Sequence, residues 1–184
     1  MGWEERVHVG GDGAPAKKPR VLVVDDDGDK GCITLNSYAL KLERHGFDVV
    51  KMHIGGSAPD RKPEDVIHVK DVAGVVAYVK NPDNRIDAVL TDRNIPSGSG
   101  YYPYGDEIVS ELKPEDRSKA FAGPVIVHSF GLERTHQTAL EKLGAAASFE
   151  KNPTRSEYWQ QIAQTIRDNL PTRGRGAGTS GVGF

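Results

Sequence analysis

Apolar residues recur along the chain in two alternating patterns. Short runs rich in aliphatic residues fall at Arg20 to Val24, Asp48 to Met52, Ile86 to Thr91, Val125 to His128 and Ala147 to Phe149, and each predicts a buried strand. Between them the spacing becomes helical. Leu35, Tyr38, Ala39 and Leu42 stand at i, i+3, i+4 and i+7 ahead of Gly46, which suits a left-handed helix end. Val72, Val75, Val76 and Val79 repeat the spacing. Ile108, Val109 and Leu112 form a third stripe that begins near Glu107 and stops before Pro114, and Leu132, Ala139, Leu140 and Leu143 form a fourth that stops at Gly144. The last helix is the best marked: Thr154 and Glu157 are spaced as a capping box, Trp159, Ile162, Ala163, Ile166 and Leu170 share a face, and Pro171 ends it. Strand and helix thus alternate five times, which predicts an α/β domain: a doubly wound, five-stranded parallel sheet in the order 2-1-3-4-5 with helices on both faces.

The flanks change the picture little. Residues 1–19 are rich in Gly, Ala, Pro and Lys and residues 171–184 are Gly-rich, so both are expected to be flexible tails around one folded domain at 20–170. A chain of 184 residues has room for that domain and its core and little more. Net charge is -2, and no Lys/Arg block reads as a footprint for phosphate backbones, so no direct nucleic-acid partner is expected. The single cysteine, Cys32, excludes an internal disulfide framework. The opening residues lack the apolar core of a signal peptide, and no run approaches the roughly 18 apolar residues of a membrane span, so a cytoplasmic protein without a membrane partner is expected. The histidines show no His-x-x-x-His spacing, which argues against a zinc site.

In an open parallel sheet the ligand site lies at the carboxyl ends of the strands, and here those ends are polar. The first strand runs into Asp25, Asp26 and Asp27, the third ends at Asp92, the fourth at His128 and Ser129, and the fifth reaches Lys151. The predicted order brings carboxylates, a hydroxyl and an ammonium to one edge. Crowded carboxylates repel one another, and a hard cation such as Mg²⁺ relieves that repulsion. Phosphoryl transfer to a carboxylate needs mostly positioning and charge neutralisation, and Asp92 as nucleophile, Mg²⁺, Lys151 as cation and Ser129 as donor fill the required roles. His128 is expected to point away from Ser129, since successive strand residues face opposite sides. Tyr101, Tyr102 and Tyr104 are read as a loop packed on itself, or as a docking patch.

The segments VLVVDDD, AVLTDRNIP, PVIVHSF and GAAASFEK, in that order, resemble the signature segments of response-regulator receiver domains of two-component signalling over roughly Arg20 to Leu170. The resemblance implies a flavodoxin-like fold and a stand-alone, atypical receiver. It implies that Asp25 and Asp26 hold Mg²⁺, with Asp27 as an alternative register for one of them. Asp92 would be the phosphoacceptor and a further metal ligand, Asn94 would offer the metal its backbone carbonyl, and Ser129 and Lys151 would bind the phosphoryl group. It further implies a sensor histidine kinase or histidine phosphotransfer protein as donor, output through an unidentified downstream protein, a monomer or weak dimer, and no enzymatic activity beyond the domain's own phosphotransfer and autodephosphorylation. The sequence departs from the pattern in three longer loops, in Ser148 where an aromatic is common, in Phe130 where a small residue is common, and in Asn152 before Pro153 where Lys-Pro is usual. Two other readings compete. VVDDDGD also resembles the opening of haloacid-dehalogenase-like phosphatases, with Asp25 as nucleophile and Asp27 as acid/base, although no fourth acidic motif follows Lys151. A pseudo-receiver that keeps the fold as an interaction module without phosphorylation is the other.

Overall fold

The computed structural model describes residues 17–26, 33–55, 65–93, 95–97, 100–102 and 104–171, with the backbone alone at 95–97 and 100–102. The two expected tails therefore lie almost wholly outside the described residues, as do Asp27, Cys32 and Asn94. Strands β1 (Arg20–Asp25), β2 (Asp48–Ile54), β3 (Val66–Val69) and β4 (Ala88–Asp92) are followed by β5 (Ile95–Ser97), β6 (Gly100–Tyr102), β7 (Val125–Ser129) and β8 (Ala147–Glu150). Interleaved with them are α1 (Ile33–Arg44), α2 (Val72–Lys80), α3 (Tyr104–Leu112), α4 (Arg134–Leu143) and α5 (Ser156–Asn169).

The main sheet is parallel and runs β3-β2-β1-β4-β7-β8, while β5 and β6 form a separate antiparallel hairpin. The five expected strands keep their 2-1-3-4-5 order, but the sheet has six strands, not five. The addition is β3, which lies beyond β2 with His53 opposite His68. Its four residues, VIHV, are too short to declare a period; pairing with β2 makes the strand. Several strands also run past their apolar residues, β1 to Asp25, β4 to Asp92 and β7 to Ser129, because the backbone ladder continues after the side chains turn polar.

Burial follows from the pleat. Val21, Val23, Ala88, Leu90 and Ile126 pack against Leu35, Tyr38 and Leu42 of α1 and Trp159, Ile162 and Ile166 of α5. Their alternates Leu22, Val24, Val89, Val125 and Val127 meet Val75 of α2, Ile108 and Leu112 of α3 and Leu140 of α4. A sheet covered on both faces needs apolar side chains at consecutive positions, which is why its strands read as unbroken runs. Each buried aliphatic side chain contributes about 1.5–3 kcal/mol.

Three helices depart from expectation, α3 by starting at Tyr104 rather than near Glu107. α5 begins at Ser156 with Arg155 before it and no side-chain cap, so the Thr154/Glu157 capping box does not form; the Thr154 hydroxyl reaches Asn152 Oδ1 at 3.3 Å instead. Trp159 Nε1 donates to the Pro153 carbonyl at 3.0 Å and sets the entry of this turn. In α4 the apolar stripe is thinner than its spacing implies: Leu132 precedes the helix, Ala139 and Leu143 are exposed, and Leu140 is its one buried residue. Gly144 ends α4 at φ +105°, in the left-handed region that suits glycine.

Candidate functional site

Register brings the polar strand ends together. Val24 pairs with Thr91, which sets Asp25 level with Asp92, and Asp92 pairs with His128, which leaves Ser129 one residue beyond. Lys151 is held at the same edge by its backbone N–H, which donates to the Ser129 carbonyl at 2.8 Å. The four groups are buried: Asp25 is 2% exposed, Asp92 7%, Ser129 1% and Lys151 8%.

The Lys151 ammonium donates to Asp92 Oδ2 at 2.6 Å and to Asp25 Oδ2 at 3.2 Å. Asp25, Asp26 and Asp92 each offer a carboxylate oxygen, all within 4.8 Å of one another. Burial, and then the charges of Asp25 and Asp92, push the Asp26 carboxyl up to about 7. Burial pulls Lys151 the other way, but the charges of Asp25 and Asp92 outweigh it and hold the ammonium above the usual lysine range. Three carboxylates face one ammonium, so the cluster holds negative charge that a proton or a cation must balance. An all-oxygen set of this kind matches a hard divalent ion such as Mg²⁺, which prefers carboxylates, a carbonyl and waters.

Neighbouring groups fix Asp92 and Lys151 in place. A Cβ added at Gly105 would stand 2.6 Å from the Asp92 carbonyl oxygen and from Arg93 Cα, so the start of α3 rests directly on the backbone that carries Asp92. Arg93 Nε and Nη2 donate to the Asp106 carboxylate at 2.9 and 3.1 Å, which ties the segment after Asp92 to α3. Lys151 Nζ lies 5.6 Å from the Tyr38 ring centre and 5.5 Å from that of Phe130, within cation–π range of both. Phe130 is 66% exposed and forms the outer wall beside the ammonium. The Ser129 hydroxyl makes a long 3.3 Å bond to the Phe130 carbonyl, a geometry that a better acceptor would displace.

Asp25, Asp26, Asp92, Ser129 and Lys151 thus meet as their strand ends imply. Asn94 lies outside the described residues. His128 lies beneath the cluster: its Nδ1 is 2.8 Å from Tyr158 Oη, and its ring meets that of Tyr38 edge-on at 5.1 Å. Burial first, and the Lys151 charge second, hold this imidazole well below the usual histidine range, so it is neutral. Tyr38 and Tyr158, which join the cluster to α1 and α5, escape a reading by strand ends because they sit on helices. The signal for Tyr38 is an aromatic with a polar tip inside an otherwise aliphatic stripe. Ser148, at the position of the resembled aromatic, has a hydroxyl with no hydrogen-bond partner among the described residues, while Phe149 packs edge-on against Tyr158 at 6.3 Å.

No family model and no curated protein sequence matches the chain. Solved structures do. The receiver domain of Francisella response regulator 1452 aligns with a TM-score of 0.54 at 18% identity, over 82% of this chain and 98% of that one. The CheY-like receiver domain protein of Methanospirillum hungatei JF-1 gives 0.54 at 17% identity, over 83% and 97%. A chain of the CheX-CheY-BeF3-Mg+2 complex of Borrelia burgdorferi gives 0.55 at 19% identity, over 82% and 87%. The chain therefore has the fold of response-regulator receiver domains. No helix among the described residues is long and apolar enough to cross a membrane.

Proposed function

We propose that residues 20–170 form a phosphorylation-dependent signalling switch that accepts a phosphoryl group on Asp92 in the presence of Mg²⁺. The observation that carries this reading is the Lys151 ammonium bound to both Asp92 and Asp25 within a cluster of three carboxylates. In the reaction a carboxylate oxygen of Asp92 bonds to phosphorus while the phosphorus–nitrogen bond of a phosphohistidine breaks, the donor being a sensor histidine kinase or a histidine phosphotransfer protein. Asp25, Asp26 and Asp92 would hold the ion, with the Asn94 carbonyl as a further ligand that the sequence resemblance implies. Bound there, Mg²⁺ supplies charge neutralisation for the carboxylates and for the arriving group. Lys151 keeps its charge at any ordinary pH and turns from carboxylate to phosphoryl oxygen, and the Ser129 hydroxyl donates a hydrogen bond to another of those oxygens. Support also comes from the Borrelia neighbour, which was solved with BeF3 and Mg²⁺. Output passes through protein–protein contact, the protein itself being a monomer or weak dimer.

The test is incubation with acetyl phosphate, followed by intact-mass measurement. Parent protein gains one phosphoryl group with Mg²⁺ and none in chelator, and Asp92→Asn gains none in either. Uptake by Asp92→Asn equal to the parent's would refute the assignment.

Phe130 sets the lifetime of the product. Its ring stands beside Lys151 at the open side of the cluster, where water must come in line with the phosphorus–oxygen bond. Phe130→Ala is expected to lose its phosphoryl group several-fold faster than the parent at matched Mg²⁺. Equal decay of label from the two proteins would remove the shielding role.

A further inference from the structure

His53 of β2 and His68 of β3 are 15 residues apart in the chain yet face one another directly across the two strands. The short edge strand makes the pairing, and no helical spacing announces it. Their Nδ1 atoms are 3.2 Å apart and their rings are inclined at 57° with centres 5.1 Å apart. His53 is 4% exposed and His68 is half-buried. Two nitrogens on one tetrahedral ion with bonds of about 2.0–2.1 Å stand roughly 3.3 Å apart, and on adjacent corners of a square site roughly 2.9 Å. The observed separation falls between these values. Both rings sit on a strand backbone, so little side-chain freedom is lost when an ion arrives. The site differs in kind from the carboxylate cluster, which presents oxygen atoms and suits hard ions.

From this geometry we propose that His53 and His68 form a two-imidazole site for a borderline transition-metal dication, with Cu²⁺ the strongest binder and Ni²⁺ and Zn²⁺ weaker. Water completes the coordination. His53 is the partner of Asp25 across β1 and β2, so the pair adjoins the carboxylate cluster, but it binds through imidazole nitrogens alone and does not depend on the phosphoryl reading.

The probe is Cu²⁺ itself, titrated calorimetrically into the full chain, with the spin-echo modulation of imidazole nitrogen telling this site from ions held by the carboxylate cluster alone. Parent protein is expected to take one Cu²⁺ that carries the spin-echo modulation of two imidazoles. His53→Gln and His68→Gln should each weaken binding at least ~10-fold, the lower range for disturbing a site's supporting groups, and leave one imidazole signal. His68→Gln, on the half-buried edge strand, decides the matter, provided its thermal midpoint stays with the parent's. A parent that fails to bind below roughly millimolar Cu²⁺, or a folded His68→Gln that binds as the parent does, would overturn the proposal and leave the pair as a hydrogen bond between strands.

Discussion

Lys151→Met is expected to cost the metal-free protein about 3–5 kcal/mol of stability at neutral pH, the penalty for removing one partner of a buried ion pair. The ammonium bonds to two buried carboxylates, and without it the cluster keeps three acids and no cation. The parent's lysine is held above its ordinary pKa of 10.5, so its contribution is complete below that value and lost as the pH climbs past the raised one. Near pH 7 the whole effect is therefore visible. Two conditions should rescue the variant. Acidification lets the crowded cluster take up protons that the unfolded chain's carboxylates do not yet hold, so stability rises as the pH falls toward about 5. Saturating Mg²⁺ replaces the missing positive charge. Urea unfolding of both proteins with and without the ion measures the difference. A loss below about 1 kcal/mol, the size of an exposed pair, would mean that the lysine is a bystander.

Asp26→Ala should act with opposite signs in the absence and presence of the metal. In the metal-free parent the Asp26 carboxyl is raised from 3.8 to about 7, so between those values the folded chain binds a proton that the unfolded chain has released. Stability therefore falls as the pH rises across that window, and the full penalty stands above it. Removing the carboxyl removes the penalty. At about pH 8 the variant should be more stable than the parent by about 1–2 kcal/mol, a figure reduced because Asp26 is partly open to solvent, and at about pH 4 the two should agree. Adding Mg²⁺ reverses the ranking. An ion at 100 times its dissociation constant stabilises the protein that binds it by about 2.7 kcal/mol, and a variant that has lost a ligand gains little of this. Thermal unfolding across pH and Mg²⁺ concentration reads both effects. A variant that is less stable without metal would make Asp26 a structural acid.

Much of the site is legible from the chain because parallel strands end where their apolar runs end. Asp25, Asp92, Ser129 and Lys151 could be placed at one edge from the strand order, and the register sets them there. Less legible is whatever tertiary contact creates. β3 exists because β2 offers it an edge, so His68 reads as a loop residue until the pairing is known. The Thr154/Glu157 spacing fits a capping box, but the Trp159 bond to Pro153 delays the helix until Ser156. Helix side chains that lean over the strand ends, Tyr38 and Tyr158, look like ordinary core in a periodicity. Gly105 is similar: its requirement comes from the backbone of Asp92, which no local pattern displays.

The most direct measurement is the site of modification. Protein treated with acetyl phosphate and Mg²⁺ is reduced with borohydride, which converts a phosphorylated aspartate to homoserine, and is then digested and sequenced by mass spectrometry. Homoserine at position 92, formed only with Mg²⁺ and absent from Lys151→Met at early times, is the predicted result. Homoserine at position 25 with Asp92 intact would contradict it and transfer the chemistry to the phosphatase-like reading of VVDDDGD.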